Sequence, residues 1–420
     1  MRTTRLSSLL IAAALLGPPA RAQGPGAPAP NPQIKVRELS APAAIKGRLD
    51  GLRAEIRTKG FSFEVSYTSA MDVPPEQLAG GKIPADAAAR AQAQMALSAK
   101  MLSDEAAAVA EYRKLVPSFL LPIPLGCSAT AAAFSWYPGK VTPVRNQLAC
   151  GSCQVFGVVA AFETSWAIRH NQLIDVSEQD LLSCTSTHPP GNGTVNCSGG
   201  WMEPVARTLV FQGVATEASK PYTATNGTCT ALARPYQASA WGYVAASGQP
   251  TVAQLKQALC AHGALTTCVV ATPQFMAYHS GVFNENVTTG MVQILALVGW
   301  DDAKQAWLVK NSWGTGWGLN GFAWIKYGAN GIGAHALWVD ARPIPPAPAE
   351  DCLPFNRNNL KVELLGSNYT VVDGSHAMIT FATQAQAQQA IDTIRKHGFN
   401  RICFVGRPFS AGHGMTYFLP

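Results

Sequence analysis

The 420-residue chain is 47% hydrophobic and 14% charged, so it can bury a sizeable core and is not globally disordered. Its length predicts two or three domains. A net charge of +7, spread along the sequence, is too small to favour a nucleic-acid partner, and no apolar run approaches the ~18 residues of a membrane span.

The first 22 residues have the pattern of a secretory signal peptide. Arg2 and Arg5 precede an apolar stretch at residues 9–16, and the small-x-small sequence Ala20-Arg21-Ala22 follows. This order of basic, apolar and small residues is typical of a segment that is removed on export. Ten cysteines agree with an oxidising compartment, so we expect the protein to be secreted or periplasmic.

Residues 23–124 form the next predicted region, a linker followed by helical segments. Residues 23–34 are rich in proline, glycine and alanine, which is typical of linkers. Apolar residues at helical spacing predict a helix over 41–58, alternating apolar residues predict a strand over 61–68, and strong helix formers predict a helix over 85–113.

The rest of the chain is predicted to form two further domains. Residues 125–342 are rich in glycine, tryptophan and cysteine, and prolines in 343–350 indicate a linker. Residues 351–420 predict a small α+β domain that serves as a binding or packing module. Its predicted elements are strands at 360–364, 369–372 and 378–381, a helix at 385–397 and a strand at 402–405.

The chemistry is expected at Cys153. The Cys-Gly-Ser-Cys sequence at 150–153 precedes residues 154–163, which have the pattern of a buried helix. Cys153 therefore lies at or near a helix N-terminus, where unpaired N–H groups and the helix dipole favour the reactive thiolate. Gly151 allows a bound chain to approach the backbone, and Gln147 can direct an amide donor at a developing oxyanion.

Several motifs in residues 134–342 resemble those of the papain-like cysteine peptidases. Besides the Cys-Gly-Ser-Cys signature, they are Cys-Ser-Gly-Gly-Trp at 197–201, Lys-Pro-Tyr at 220–222, Tyr-His-Ser-Gly-Val-Phe at 278–283 and Lys-Asn-Ser-Trp-Gly-Thr-Gly-Trp-Gly at 310–318. The resemblance implies an α+β fold of two lobes, one helical and carrying Cys153, the other β-barrel-like. The cleft between them is expected to bind an extended peptide, with no cofactor.

The resemblance also implies roles for individual residues. Asn311 occupies the position of the asparagine that orients the family's catalytic histidine, and Trp313 that of the tryptophan that shields this pair. The predicted peptide-binding residues are Gly151, Gly199, Gly200, Trp201 and Trp313. Family members carry a propeptide before the peptidase domain, so the helical region in 23–124 is a candidate inhibitor of its own cleft.

Two positions depart from the family pattern. Gln154 stands where a tryptophan normally follows the nucleophile, and Gln293 stands where the catalytic histidine is expected, with Gly299 and Trp300 fixing the register. The reaction needs a base for the thiol and an acid for the leaving amine, and an amide can act as neither. This loss predicts a rate lower by about 10²–10⁴-fold. Without an imidazolium partner, the pKa of Cys153 is expected near the free value of about 8.5.

No other histidine is expected to replace the missing one. His279 belongs to a motif that the family holds away from the nucleophile, and we expect it on the surface. His335 is expected in a cleft or core position. The spacing of cysteines and histidines does not fit a metal site.

The cysteines are expected to form structural disulfides rather than a redox pair of Cys150 with Cys153. The resemblance implies Cys150–Cys197 and Cys184–Cys229. Cys352 and Cys403 flank the last domain and are expected to staple it. Among Cys127, Cys260 and Cys268 we expect one pair and one free thiol, with no preferred combination.

Three functions follow from this sequence. In the first, the chain is an exported papain-like peptidase homologue that is catalytically impaired and binds a peptide or protein in its cleft. In the second, it is an active but atypical endopeptidase that uses Cys153, with Gln147 steadying the oxyanion. In the third, it is an envelope-associated scaffold that binds through its C-terminal domain.

Overall fold

The computed structural model describes residues 28–115, 126–189, 192–246, 249–342, 352–365, 368–374, 376–405 and 415–419. The chain divides into two compact units, one up to Pro343 and one from Ile344. The predicted signal peptide (1–22) and the proline-rich linker (343–350) lie outside the described residues. Within those ranges, no helix combines the length and the apolar character that crossing a bilayer requires.

The first unit packs several helices against a large sheet. Its helices are α1 (Pro32–Leu39), α2 (Ala43–Lys59), α3 (Pro75–Leu78), α4 (Ala87–Leu115), α5 (Cys153–His170), α6 (Glu178–Cys184), α7 (Met202–Phe211), α8 (Val252–His262) and α9 (Pro273–Met276). Every residue from 153 to 167 in α5 is buried. A helix that is covered all round belongs in the middle of a core, and α5 packs against both the sheet and α7.

The strands of this unit form one large sheet and one short pair. They are β1 (Phe63–Val65), β2 (Ala133–Ser135), β3 (Val195–Asn196), β4 (Gly199–Gly200), β5 (Ala238–Tyr243), β6 (Leu265–Ala271), β7 (Tyr278–Phe283), β8 (Met291–Asp301), β9 (Ala306–Lys310), β10 (Phe322–Lys326) and β11 (Leu337–Ala341). In the described residues the order is β1-β7-β10-β9-β8-β6-β11-β5, with β2 on β8, so this sheet is open. The fold is mixed α+β, as predicted, with a helical lobe around α5 and a sheet lobe around β8.

The N-terminal region adds an edge strand to this sheet, because β1 pairs antiparallel with β7. The helices predicted over 41–58 and 85–113 are confirmed as α2 and α4. The predicted linker at 23–34 is wrong at its end, since α1 begins at Pro32. The side chain of Asn31 caps α1 by accepting from the Gln33 N–H at 3.0 Å, a local signal that the proline-rich composition concealed.

The disulfides in the first unit match the expected pattern. Cys150–Cys197 and Cys184–Cys229 are present as the resemblance implied. Cys127 pairs with Cys260, which leaves Cys268 as the free thiol of the remaining three. Cys153 is also free.

The second unit has its own core. Its described elements are β12 (Cys352–Pro354), β13 (Leu360–Leu365), β14 (Asn368–Asp373), β15 (His376–Phe381), α10 (Gln384–His397), β16 (Arg401–Val405) and β17 (Met415–Leu419). Two three-stranded sheets form, ordered β12-β16-β17 and β13-β14-β15. A capping box between Thr383 and Gln386 starts α10, whose apolar face contributes to the core. The predicted strands and helix are confirmed, while β12 and β17 lacked a clear alternating pattern.

Backbone register supports a disulfide between Cys352 and Cys403, which are directly opposite in the antiparallel pair of β12 and β16. Opposite residues in such a pair have Cα atoms about 4.5–5.5 Å apart, inside the range that a disulfide spans. Peptide mapping of the non-reduced protein is expected to recover these two cysteines in one linked fragment. The Cys127–Cys260 fragment serves as the positive control in the same digest, and recovery of both thiols free would contradict the prediction.

Candidate active site

Cys153 begins α5, where the sequence placed it. The loop before it is held against the segment that leads to β4, because Gly151 N–H donates to Cys197 O at 2.8 Å and Cys150 is bonded to Cys197. The Cys153 side chain is completely buried. The position of Cys153 is therefore fixed by a crosslinked loop and a core helix.

The Cys153 thiol is harder to ionise than expected. Burial raises its pKa to about 11, and the backbone N–H groups of Ile294 and Gly80 offset only part of that rise. The expected pKa near the free value is therefore too low, because the sequence did not reveal that the sulfur is removed from water. With the N-terminal segment in the cleft, burial thus favours the neutral thiol at neutral pH.

Gln293 lies on β8 opposite Val269, with its side chain completely buried. One end of its carboxamide lies 2.8 Å from Asn311 Oδ1, and the other end lies 2.9 Å from the Leu78 carbonyl oxygen. With Nε2 toward Leu78, the amide donates to that carbonyl and accepts from Trp313 Nε1 at 3.3 Å. With Nε2 toward Asn311, it donates to Oδ1. Either orientation gives hydrogen bonds but no titratable proton.

Gln147 binds a peptide carbonyl oxygen. Its Nε2 donates to Leu78 O at 2.9 Å and to Cys150 O at 2.8 Å, while its Oε1 accepts from Ser312 Oγ at 2.7 Å. The amide is thus locked with its donor facing the cleft. A donor held in this way suits a carbonyl oxygen that gains negative charge.

Residues 80–82 of the N-terminal region, which follow α3, run through the cleft as an extended chain. Gly200 N–H donates to Gly80 O at 3.0 Å, and Lys82 N–H donates to Gly200 O at 2.9 Å. On the other side, Gly81 N–H donates to Val292 O at 2.9 Å. Gly81 is paired with Gly200 in parallel. Peptide backbone is bound here between Gly200 on one wall and the start of β8 on the other.

The predicted peptide-binding residues fall into two groups: the glycines contact the N-terminal segment, whereas the two tryptophans are buried. Gly199 and Gly151 both lie against Gly80. Trp313 is buried and packs edge-on against Phe275. The Trp201 indole is also buried, and it donates to the Tyr243 hydroxyl at 3.2 Å.

Gln154 takes the place of the expected tryptophan inside the core. Its side chain is completely buried, and its Oε1 accepts from Cys153 Sγ at 3.7 Å. Its Nε2 has no hydrogen-bond partner within the described ranges. Gln154 thus adds a second neutral amide beside the thiol and no charge.

In the part of the chain that the structure describes, no histidine is hydrogen-bonded to Cys153. The surface position expected for His279 is wrong: it is 5% exposed, because β1 covers β7, and its Nδ1 lies 3.8 Å from Glu64. His335 is half-buried and packs edge-on against Trp201, with ring centroids 5.3 Å apart. The same ranges contain no group of three His, Cys, Asp or Glu side chains that would hold a metal ion.

The sequence did not lead us to predict the buried ionisable residues behind the site. Lys310, next to Asn311, donates from Nζ to Thr142 Oγ1 at 2.9 Å, and Thr142 donates to Glu163. Burial lowers the pKa of Lys310 and raises those of Glu163 and Glu178. Their signal in the sequence was a charge inside an apolar run, as at Glu163 within α5.

Comparisons with known proteins agree with this geometry. Residues 130–339, half of the chain, match the family described as papain family cysteine protease. A viral cathepsin of Lymantria dispar multicapsid nuclear polyhedrosis virus is 33% identical over 208 residues, which are 48% of this chain and 55% of the relative. Zingipain-2 of Zingiber officinale is 33% identical over 187 residues, 44% of this chain and 81% of the relative.

One solved structure extends the similarity of fold into the N-terminal region. Digestive procathepsin L 3 of Tenebrio molitor larval midgut superposes with a TM-score of 0.54 and 21% identity, over 73% of this chain and 97% of its own. The chain spans about half the length of several curated relatives that it matches. Because the family match covers half of the chain and the fold agrees, the chain belongs to the papain family of cysteine proteases.

Proposed function

We propose that this protein is an exported member of the family whose peptide-bond hydrolysis is impaired, and that it binds peptide in its cleft without efficient turnover. The observation that carries the proposal is the buried Gln293 carboxamide, which lies 2.8 Å from Asn311 Oδ1. By the register of its motif, Gln293 replaces the catalytic histidine. A neutral amide preserves the hydrogen-bonded shape of the site but transfers no proton.

The state of Cys153 supports impaired turnover. Hydrolysis needs a thiolate to attack the amide carbon and an acid to protonate the leaving nitrogen. Burial raises the pKa of Cys153 to about 11, so the neutral thiol dominates at physiological pH. Gln154 follows Cys153 on α5, and Gln293 lies on β8, which packs against α5. Both side chains are neutral, so neither supplies a cation that would stabilise a thiolate.

The N-terminal region is proposed as the occupant of the cleft. Residues 78–82 bind Gly200 and Val292 through backbone hydrogen bonds, and Leu78 O accepts from Gln147 Nε2 at 2.9 Å. This arrangement blocks access to Cys153. In a chain that cannot cleave this segment efficiently, the segment stays bound.

The proposed organisation has five parts. Residues 1–22 are an export signal, 23–124 a linker and propeptide-like region, 125–342 the peptidase-like domain, 343–350 a linker and 351–420 a small α+β domain. The three disulfides of the described residues support a location outside the cytosol.

An active, atypical endopeptidase is the second candidate, and one observation favours it. Gln147 Nε2 already binds a peptide carbonyl oxygen, as a working oxyanion donor would. The two candidates differ in the ionisation of Cys153, which an experiment measures directly.

The test is the rate of Cys153 alkylation by iodoacetamide against pH in a Gly80→Ala chain, in which the added methyl displaces the N-terminal segment from the cleft. Mass spectrometry of the peptide that contains Cys153 measures the rate. Because only the thiolate reacts, the rate with Gln293 in place is expected to rise about tenfold per pH unit toward a pKa of about 8.5 or above. In a Gln293→His chain, an imidazolium partner is expected to lower that pKa and to flatten the profile at neutral pH.

Gln293→Asn provides the matched control, because it keeps a neutral amide at position 293. Its Cys153 profile is expected to match that of the chain with Gln293. A Cys153 pKa below neutrality with Gln293 in place would defeat the impaired-peptidase proposal and favour the active candidate.

A further inference from the structure

Gly80 and Gly81 pass the narrowest part of the cleft. A Cβ atom built on Gly80 would lie 2.1 Å from the Gly151 carbonyl oxygen, and one built on Gly81 would lie 2.8 Å from both Val292 Cγ1 and Val292 O. In folded proteins, a Cβ atom essentially never lies within 3.0 Å of a non-bonded heavy atom of another residue. Since the nearest atoms include backbone oxygens, rotating a side chain does not remove the overlap.

This restriction comes from the cleft and not from the segment's own backbone. Neither Gly80 nor Gly81 has a left-handed φ, so alanine at either position is compatible with the local conformation. The cleft residue that faces Gly80 leaves equally little room. A Cβ on Gly199, which has a φ of 113°, would lie 2.4 Å from Gly80 O. Glycine is therefore required on both sides for the two backbones to meet.

An apolar anchor precedes the glycines. Leu78 is 2% exposed and packs into the main core, and its carbonyl oxygen is held by Gln147. After the glycines, Lys82 N–H donates to Gly200 O at 2.9 Å. The bound segment thus carries an apolar side chain, one spacer residue and two glycines, in that order.

We propose that the cleft selects peptides that cross it in extended form at a pair of glycines and carry an apolar residue two positions before that pair, and that residues 78–81 are the intramolecular example of this ligand class. The inference rests on the proposed function, because a cleft that does not hydrolyse its ligand keeps it bound. Binding is non-covalent. Backbone hydrogen bonds to Gly200 and Val292 give affinity, and the absence of room for a Cβ gives specificity.

Hydrogen exchange in the full chain tests the intramolecular part. Gly80→Ala is expected to speed amide exchange about tenfold or more in the peptides that contain residues 78–82 and Gly200, because the added methyl overpacks the cleft. Gly47→Ala is the matched control, since a Cβ at Gly47 in α2 meets nothing within 4 Å. It should leave cleft exchange unchanged.

Gly81→Ala is the second variant, in case Gly80→Ala does not fold by circular dichroism. Its methyl meets Val292 rather than Gly151, so the two variants test opposite walls of the cleft. Wild-type protection in a folded Gly80→Ala or Gly81→Ala chain would overturn the proposal.

A peptide in trans tests the ligand class. The nonapeptide of residues 76–84 is added to the Gly80→Ala chain and is expected to restore protection at Gly200. The same peptide with alanine in place of Gly80 is expected not to do so. Equal protection by both peptides would overturn the glycine selectivity and leave the proposed function intact. Cleavage of the nonapeptide, seen by mass spectrometry, would contradict impaired hydrolysis but not the selectivity.

Discussion

Replacing Gln293 with histidine is expected to raise peptide-bond hydrolysis by about 10²–10⁴-fold. An imidazole can hold the thiolate as its imidazolium partner and then protonate the leaving amine. Asn311 Oδ1, 2.8 Å from the Gln293 amide, is placed to orient the ring. The backbone of the next residue on β8, Ile294, offsets part of the rise that burial gives the pKa of Cys153. We therefore expect a proton carrier at position 293 to have the largest effect on turnover.

The measurement is kcat/KM for a fluorogenic peptide near neutral pH, in a Gly80→Ala background that frees the cleft. Gln293→Asn is the matched control, because it keeps an amide and is expected to stay as slow as the parent chain. Gln293→His combined with Cys153→Ala should abolish any gained activity. If the folded histidine variant ionises Cys153 at neutral pH yet gains no activity, the missing base does not limit turnover.

Removal of the Cys150–Cys197 disulfide is expected to lower the free energy of unfolding of the first unit by about 4 kcal/mol. The two cysteines are 47 residues apart, and this crosslink restricts the unfolded chain accordingly. It also holds Gly151 N–H on Cys197 O at 2.8 Å, so its loss should loosen the loop that carries Cys153. Cys150→Ala with Cys197→Ala is the variant to measure.

Denaturant unfolding followed by tryptophan fluorescence reports on this unit, because all ten tryptophans precede residue 343. The control removes Cys127–Cys260, which are 133 residues apart, at a cost of about 5 kcal/mol. Both variants are destabilised, but only the first is expected to speed hydrogen exchange at Gly200. Equal exchange at Gly200 in the two variants would contradict a specific role of Cys150–Cys197 in the cleft.

The sequence predicted the elements that depend on local pattern. Apolar spacing located α2, a run of strong helix formers located α4, and strand patterns located β13, β14 and β16. It was weaker where a single capping residue decides the structure, as at Asn31, whose side chain starts α1 inside a proline-rich stretch. A helix cap is one hydrogen bond, and composition does not register it.

For the site, residue types and spacing within motifs determined which side chains were candidates. Cys153, Gln147, Gln293 and Asn311 were all named from the sequence, and the structure places the Gln293 amide 2.8 Å from Asn311 Oδ1 and 3.4 Å from Gln147 Oε1. The replacement of the family's histidine by Gln293 stays a prediction, which rests on Gly299 and Trp300 as the residues that set the register of the motif.

Contacts between distant segments were decided only by the tertiary structure. The burial that raises the pKa of Cys153, the covering of His279 by β1 and the passage of Gly80 between Gly151 and Gly199 all join residues far apart in the chain. Local patterns predict which face of an element is buried, but not which distant segment covers it. That choice depends on steric fit and on pairing of backbone groups, and both exist only once the chain is folded.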